Sequence, residues 1–227
     1  MRPGPGEPVF GNWQTIPLDE FVERLLSTRP RVVAVDGRSG GGKSTLTDRL
    51  AGLLGAAVVQ VDDVAWNAPM FGWSELLAHG VLEPVRRGEA VAYRPPAWDE
   101  HGRAGSIDVP AGASLVLVEG VGAGRRELAG LIDGLVWVQS DFAEAERRGI
   151  ARDIASGVNG DARTTTAFWH EWMASEIPFL QHDRPWDRAD FVVAGIGGDP
   201  AAVMVAFDAA SGEPSSAGSD RFGVGNE

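Results

Sequence analysis

Short uninterrupted apolar runs alternate along the chain with segments in which apolar residues recur every three or four positions. The runs are VVAV at 32–35, AAVV at 56–59, LVLV at 115–118, LVWV at 135–138 and FVVA at 191–194. Runs of this kind predict strands that are buried on both faces. Because helical patterns separate them, we expect an α/β fold: a three-layer sandwich with a mainly parallel, five-stranded sheet.

Helical spacing of apolar residues and the composition of the two ends define the rest of the organisation. The spacing predicts helices at 17–26, 43–54, 73–88, 125–132, 141–156 and 164–177. Residues 1–12 are rich in Gly and Pro, and residues 211–227 show no apolar period. We therefore expect a flexible N-terminus at 1–12, a single folded domain at 13–210 and a disordered tail at 211–227.

A glycine-rich loop, GRSGGGKS at 37–44, follows the first predicted strand and precedes a predicted helix. It matches G-x-x-x-x-G-K-[ST], in which backbone N–H groups turn towards phosphate oxygens, the lysine reaches the β- and γ-phosphates and the serine hydroxyl ligates Mg²⁺. A strand-to-helix turn that matches by chance is the alternative, which this context disfavours. The loop predicts a nucleoside triphosphate site formed by Gly37, Ser39, Gly40, Gly41, Gly42, Lys43, Ser44 and Thr45.

Acidic residues follow two other predicted strands, with Asp62 and Asp63 after one and Glu119 after the other. Ligands of open parallel sheets bind at this carboxyl edge, where a kinase needs a carboxylate to deprotonate the attacking hydroxyl. Adjacent side chains at a strand end point to opposite sides, so only one of the two aspartates can face the γ-phosphate. Their alternative role is a helix cap or a pair of loop acids. Glu119 is a candidate for a Mg²⁺-bound water or the acceptor, or else caps the next helix.

Two arginines, Arg148 and Arg152, are spaced four residues apart on the helix that begins at Asp141 and therefore share a face. Like charges in this arrangement repel each other unless an anion lies between or above them, and a triphosphate is such an anion. The two glycines of GVNGDART, at 157–164, suit a loop that closes over a nucleotide, so we expect a lid at about 148–165. The alternative is a solvated basic face on which Glu144 pairs with Arg148.

Four stretches, in this order, resemble the uridine kinase and phosphoribulokinase group of small-molecule kinases. They are AVDGRSGGGKST at 34–45, VVQVDDVAW at 58–66, LVLVEGVGA at 115–123 and RRGIARDI at 147–154. The resemblance spans roughly residues 31–195 and implies a P-loop NTPase-type fold with ATP as the donor. It also implies Asp62 as the catalytic base, Mg²⁺ near Ser44, Asp62 and Glu119, and Arg148 and Arg152 over the transferred phosphoryl group.

The acceptor is expected to contact an excursion of the chain at about 66–112. Its stretch YRPPAWDEHGR, at 93–103, contains the candidate residues Tyr93, Trp98, Asp99, His101 and Arg103. It resembles the P-x-Y-D-x-x-x-H-x-R-like segment of uridine kinases, except that Trp-Asp replaces Tyr-Asp and the His and Arg arrive two residues early. Each residue is also compatible with an ordinary solvated loop, which is the better interpretation for His101. Most of the eight tryptophans are expected in the core, but a cluster at the cleft would suit a flat acceptor.

The overall composition excludes several classes of protein. A net charge of −12 disfavours general nucleic-acid binding, and the absence of cysteine excludes disulfides and thiolate zinc sites. No apolar run approaches the roughly 20 residues of a membrane span, and the first residues lack a signal-peptide pattern. We therefore expect a cytoplasmic protein without a nucleic-acid or membrane partner.

Together these patterns predict an ATP- and Mg²⁺-dependent kinase of a small-molecule hydroxyl, with a nucleoside such as uridine or cytidine as the leading acceptor. Another alcohol, such as a sugar, a vitamin precursor or a natural product, is the next alternative. Two other classes stay open: a regulatory protein that binds an NTP without a small acceptor, and a family member that binds nucleotide without catalysis. The oligomeric state is left open, a homo-oligomer included.

Overall fold

The computed structural model of the protein describes residues 1–195 and 198–207, together with Pro214. Nine strands run through this part of the chain: β1 (Trp13–Pro17), β2 (Val32–Asp36), β3 (Ala57–Gln60), β4 (Val91–Tyr93), β5 (Ile107–Val109), β6 (Val116–Glu119), β7 (Gly134–Gln139), β8 (Phe191–Ala194) and β9 (Ala202–Ala206). Seven of them form the central sheet in the order β1-β9-β8-β7-β2-β6-β3, and β4 and β5 form a separate antiparallel pair.

The predicted α/β class with a mainly parallel sheet is confirmed, but the count of five strands was wrong. Strands β8, β7, β2, β6 and β3 are parallel neighbours, whereas β9 pairs antiparallel with β8 and β1 pairs antiparallel with β9. The five parallel strands correspond to the five apolar runs from which the sheet was predicted, whereas β9, also an apolar run (AVMVA), was missed. Strand β1 was missed because only Ile16 of its five residues is buried, so it carries no continuous apolar run.

Eight α-helices connect and cover the described strands: α1 (Leu18–Leu26), α2 (Lys43–Leu54), α3 (Val61–Ala65), α4 (Ser74–Leu77), α5 (Glu83–Arg86), α6 (Pro96–Glu100), α7 (Phe142–Ser156) and α8 (Ala162–Asp183). A π-helical turn, Ala78–Leu82, joins α4 to α5. The helix predicted at 125–132 is only a 3₁₀ turn, Arg126–Leu128. None of the helices in the described residues is long and apolar enough to cross a membrane.

Strand β2 lies at the centre of two apolar cores, one on each face of the sheet. Val32 and Ala34 belong to one core and Val33 and Val35 to the other, and all four side chains are fully buried. This alternation explains why the strand lacks polar positions, and it fixes the loop that follows at the carboxyl edge of the sheet. The tail predicted at 211–227 lies outside the described residues, apart from Pro214.

Candidate active site

The glycine-rich loop connects the end of β2 to the start of α2, as the sequence predicts. Gly40 has a φ of 70° and Gly42, at the N-cap of α2, a φ of 100°, which side chains rarely adopt. A Cβ at Gly40 would lie 2.1 Å from the carbonyl oxygen of Ala145, and one at Gly42 would lie 1.9 Å from that of Gly195. The loop is therefore packed between the start of α7 and the end of β8, and both glycines are sterically required.

Lys43 and Ser44 converge on Glu119, which ends β6. The Lys43 ammonium donates to the Arg38 carbonyl at 3.1 Å and lies 4.0 Å from a Glu119 oxygen, while the Ser44 hydroxyl donates to the other Glu119 oxygen at 3.2 Å. Burial raises the pKa of Glu119, the Lys43 charge opposes this rise and the Asp62 charge adds to it. The three predicted residues thus share one polar cluster, in which Lys43 and Glu119 are buried and Ser44 is exposed.

The donor atoms of this cluster fit Mg²⁺. They are the Ser44 hydroxyl and the Glu119 carboxylate, both hard oxygens, and Mg²⁺ in proteins keeps waters and phosphate oxygens as its other ligands. Within the described residues no group of three or more His, Cys, Asp or Glu residues could hold a metal by itself. A nucleotide-dependent ion with few protein ligands is therefore compatible with the site, whereas an all-protein metal cage is not.

Asp62 and Asp63 lie in the first turn of α3 and have different surroundings. Asp63 forms an ion pair with Arg103, and its carbonyl accepts a hydrogen bond from the Trp98 indole at 2.9 Å. Asp62 is exposed and has neither a hydrogen bond nor an ion pair with any described residue, but its charge acts on Glu119. Of the two, Asp62 is the carboxylate without a partner among the described residues, and it lies near enough to Glu119 for its charge to act there.

The two arginines predicted to lie in a lid have different surroundings. Arg148 lies beside the phosphate loop, where its guanidinium donates to the Gly40 carbonyl at 3.2 Å, and it also lies 3.7 Å from Glu144, the pair expected for a basic helix face. Arg152 instead donates to Asp153 at 2.8 Å and has a side chain that is 64% exposed. The structure thus brings Arg148 to the loop and leaves Arg152 at the surface, although both belong to α7.

A cavity of about 120 Å³ borders the phosphate loop on the lid side. It is lined by Gly42 and Thr45 at the start of α2, by Arg148 of the lid and by residues of β8 and β9. The predicted loop residue Thr45 and the predicted lid residue Arg148 therefore face the same space.

The residues predicted to contact the acceptor do not form one cluster. Trp98 is buried, Asp99 pairs with Arg94 at 2.7 Å, and exposed His101 meets the edge of the Trp66 ring at a centroid distance of 5.8 Å. Arg103 lies beside α3 through its ion pair with Asp63. Only the Trp98 to Arg103 end of the stretch therefore adjoins the candidate base.

Tyr93 lies elsewhere, against the π-helical turn. A Cβ at Gly80 would be 2.4 Å from the Tyr93 ring, so this glycine allows the two segments to approach. The ring borders a groove of about 480 Å³ that is lined entirely by described residues between 75 and 93. The structure thus places Tyr93 at a groove within the excursion.

Comparison with known proteins identifies proteins that are similar in fold but none that is similar in sequence. No family model matches the chain, and no curated protein matches it by sequence. A candidate fructose transport system kinase from Silicibacter sp. TM1040 has a TM-score of 0.53 at 20% identity, over 73% of this chain and 91% of that chain. The YGR205w protein has a TM-score of 0.50 at 11% identity, over 84% and 96%. A candidate uridine kinase from Bacillus stearothermophilus has a TM-score of 0.47 at 20% identity, over 77% and 98%.

This chain has the fold of a P-loop kinase. The resemblance read from the four sequence stretches is thereby confirmed at the level of the fold. The kinase fold also explains why the glycine-rich loop, the two acidic strand ends and α7 meet at one edge of the sheet.

Sequence reasoning missed a buried charge cluster that braces the phosphate loop of this kinase fold. The Arg38 guanidinium lies 3.1 Å from Glu7 and 3.3 Å from Glu176, and Glu7 also accepts hydrogen bonds from Gln139 at 2.8 Å and from the Gly4 amide at 2.9 Å. Part of the segment predicted to be flexible thus packs against the loop. The sequence feature that could have indicated this cluster is Arg38, a large charged residue among the small residues of the loop.

An aromatic wall, formed by Phe71, Trp172 and Phe179, adjoins the same loop and was only partly anticipated. The Trp172 indole donates to the Ser39 hydroxyl at 2.8 Å, and the Phe71 ring lies 5.3 Å from the Trp172 ring. Phe71 stacks on Phe179 at 4.0 Å and has a φ of 57°, which is unusual for a bulky residue. Such backbone conformations concentrate at functional sites, and the wall lies beside the phosphate loop.

Proposed function

We propose that this protein is an ATP- and Mg²⁺-dependent kinase of the uridine kinase and phosphoribulokinase group, which transfers the γ-phosphoryl group to a hydroxyl of a small molecule. The observation that carries the proposal is the free carboxylate of Asp62 beside the Lys43–Ser44–Glu119 cluster. A protein that only bound nucleotide would not need an unpaired carboxylate at this position. The same fold in a candidate fructose transport system kinase supports the proposal.

The donor side of the proposed site is formed by the phosphate loop and α7. The loop amides from Gly40 to Thr45 surround the β-phosphate, Lys43 binds the β- and γ-phosphates, and Arg148 stabilises the negative charge that develops on the transferred group. Ser44 and Glu119 would hold Mg²⁺, which would neutralise further negative charge on the transferred group. We propose that Arg152 joins Arg148 only when the lid closes, because in this conformation it binds Asp153.

In the transfer step, Asp62 accepts the proton of the acceptor hydroxyl. The hydroxyl oxygen forms a bond to the γ-phosphorus, and the bond from that phosphorus to the β,γ-bridging oxygen breaks, so that ADP leaves. Asp62 suits this role because it is exposed to the cleft and free of a cationic partner. Glu119 suits ion binding better than proton transfer, since Ser44 and Lys43 already fix it.

A nucleoside is the leading acceptor, since Trp66 at the end of α3 and the aromatic wall beside the phosphate loop offer flat apolar surfaces. A sugar or another alcohol is the alternative. The first test is release of ADP with Mg²⁺-ATP against nucleosides, sugars and small alcohols, with Lys43→Ala as the blank. Strong stimulation by uridine or cytidine is expected. A flat panel with normal ATP binding would contradict the kinase assignment and favour an NTP-dependent regulatory protein.

A further inference from the structure

We propose that the acceptor of this kinase carries no phosphate or carboxylate group, and that Asp63 enforces this preference by neutralising Arg103. The inference rests on the proposed function and narrows its substrate class. It comes from the distribution of paired and unpaired charges around α3.

Arg103 is the cation tied to the segment that carries the proposed base. Its guanidinium is paired with Asp63, the residue that follows Asp62, and we infer that an acceptor at Asp62 lies near it. Its side chain is 30% exposed, and the guanidinium also lies 5.2 Å from the Trp66 ring and 3.9 Å from the Trp98 ring. A guanidinium in such a setting would bind a phosphate or carboxylate in two-point fashion if it were unpaired. In this structure the Arg103 guanidinium is already paired with the Asp63 carboxylate.

Two other arginines in and after the excursion are also paired with carboxylates. Arg94 lies within 4.0 Å of an Asp99 oxygen, and Arg125 lies within 4.0 Å of a Glu127 oxygen. The only lysine in the sequence is Lys43, on the donor side. No unpaired arginine or lysine is therefore offered to the acceptor by this stretch.

The unpaired charge on the acceptor side is negative. Asp62 is exposed and has no cationic partner among the described residues. An anionic acceptor would have to approach this carboxylate without a cation of its own, which costs desolvation and repulsion. A neutral acceptor instead meets the aromatic faces of Trp66 and the aromatic wall, at no such cost.

The test compares acceptors in matched pairs that share a free hydroxyl: uridine with uridine 3′-monophosphate, fructose with fructose 6-phosphate, and pantothenol with pantothenate. For the pair that the wild-type protein uses, we expect kcat/KM to be at least about tenfold higher for the neutral member. Equal or better use of the charged member would overturn the inference and leave the kinase assignment intact. Absence of turnover with all six compounds, despite normal ATP binding, would overturn the proposed function and this inference with it.

Substitution of Asp63 tests whether this residue causes the preference for neutral acceptors. Asp63→Asn should release Arg103 and lower the neutral-to-anionic ratio of kcat/KM by about tenfold, and adding Arg103→Gln should restore it. Asp63→Glu, which keeps the charge, should retain the wild-type ratio, whereas a purely structural role would change overall activity without moving the ratio. An unchanged ratio in folded Asp63→Asn, or complete loss of transfer in that variant alone, would overturn the role of Asp63. Should Asp63→Asn fail to fold, the wild-type pairs decide the charge preference alone.

Discussion

Asp36 ends β2 directly before the phosphate loop, and its carboxylate ties the loop to the segment after β6. It accepts hydrogen bonds from the amides of Gly37 at 2.7 Å, Gly122 at 2.8 Å and Gly124 at 2.9 Å, and it is fully buried. Burial raises its pKa to about 6, against the lowering effect of these three amides and of Lys43. One side chain therefore sets the separation between the loop and the turn that follows Glu119.

This shift predicts a particular dependence of stability on pH. Because the pKa of Asp36 is higher in the folded state than its ordinary value of 3.8, the folded state binds more protons between these values, and stability falls as the pH rises from about 4 to 6. Asp36→Asn removes this pH-dependent contribution to stability, because asparagine does not titrate. The free energy of unfolding of the wild type, relative to Asp36→Asn, should fall by up to about 3 kcal/mol between pH 4 and 7. Urea denaturation at a series of pH values measures the difference.

Asp133 provides a control, because its pKa is shifted in the opposite direction to that of Asp36. Burial raises its pKa, but hydrogen bonds from Arg86 and from the amides of Val32 and Arg31 outweigh burial and leave the pKa below its ordinary value. The stability that Asp133 contributes is therefore present at neutral pH and lost as the pH falls. Relative to Asp133→Asn, the wild type should gain stability as the pH rises. Parallel slopes for the two comparisons would contradict the assignment of Asp36.

The choice between Asp62 and Asp63 as base is also decided at the level of single residues. Asp62→Asn should lower kcat at least about a hundredfold, since the general base is lost, while the Kd of ATP stays within a few-fold. Asp63→Asn should retain most of its transfer activity, because its partner is Arg103 rather than the reacting hydroxyl. Single-turnover transfer and ATP titration separate the two effects. If only Asp63→Asn lost transfer, Asp63 would be the base.

At the scale of elements, the contact between α7 and α8 fixes the position of α7 beside the phosphate loop. Gly149 of α7 lies so close to Trp169 of α8 that a Cβ there would be 2.0 Å from the indole ring. The indole cannot easily move, because it is buried and donates to Asp153 at 2.7 Å. Gly149 follows Arg148, so the position of this contact also sets the position of that arginine at the loop.

Gly149→Ala should therefore destabilise the protein although alanine favours helices. Overpacking of this kind costs about 1–3 kcal/mol, and we expect a lower transfer rate as well, because Arg148 is displaced with α7. The matched control is Gly52→Ala in α2, where a Cβ would have no neighbour within 4 Å and should stabilise by up to about 1 kcal/mol. Denaturant unfolding of both variants tests this. A gain in stability for Gly149→Ala would contradict the packing described.

The elements differ in how far the sequence predicted them. The five parallel strands and the phosphate loop are encoded locally, by uninterrupted apolar runs and by a motif between a strand and a helix, so they could be predicted. Strand β1 could not, because its pairing with β9 is a contact between residues almost 200 positions apart and only Ile16 carries an apolar signal. The different surroundings of Arg148 and Arg152 also depend on a neighbour, Asp153, and not on their spacing.

At the scale of the whole molecule, the charge cluster around Arg38 joins three distant parts of the chain. Glu7 comes from the N-terminal segment, Arg38 from the phosphate loop and Glu176 from α8. Glu176 also accepts from the Ser39 amide at 2.7 Å, so the loop is held from both sides. No local sequence pattern predicts that these three parts meet. The Gly- and Pro-rich composition of residues 1–12 instead predicted a flexible segment. The cluster joins the N-terminal segment to the phosphate loop.

This arrangement predicts that a change far from the glycines weakens ATP binding. In Glu7→Gln the amide NH₂ must face one of the donors that Glu7 now satisfies, which leaves a buried polar group unpaired and costs about 2 kcal/mol of stability. The Kd of ATP should rise several-fold, because Arg38 and the loop lose one of their two fixed contacts. The control is Glu20→Gln, whose partner Arg24 is solvent-exposed and whose loss should cost less than about 1 kcal/mol without affecting ATP. Equal effects of the two substitutions on unfolding and on ATP titration would show that residues 1–12 do not support the loop.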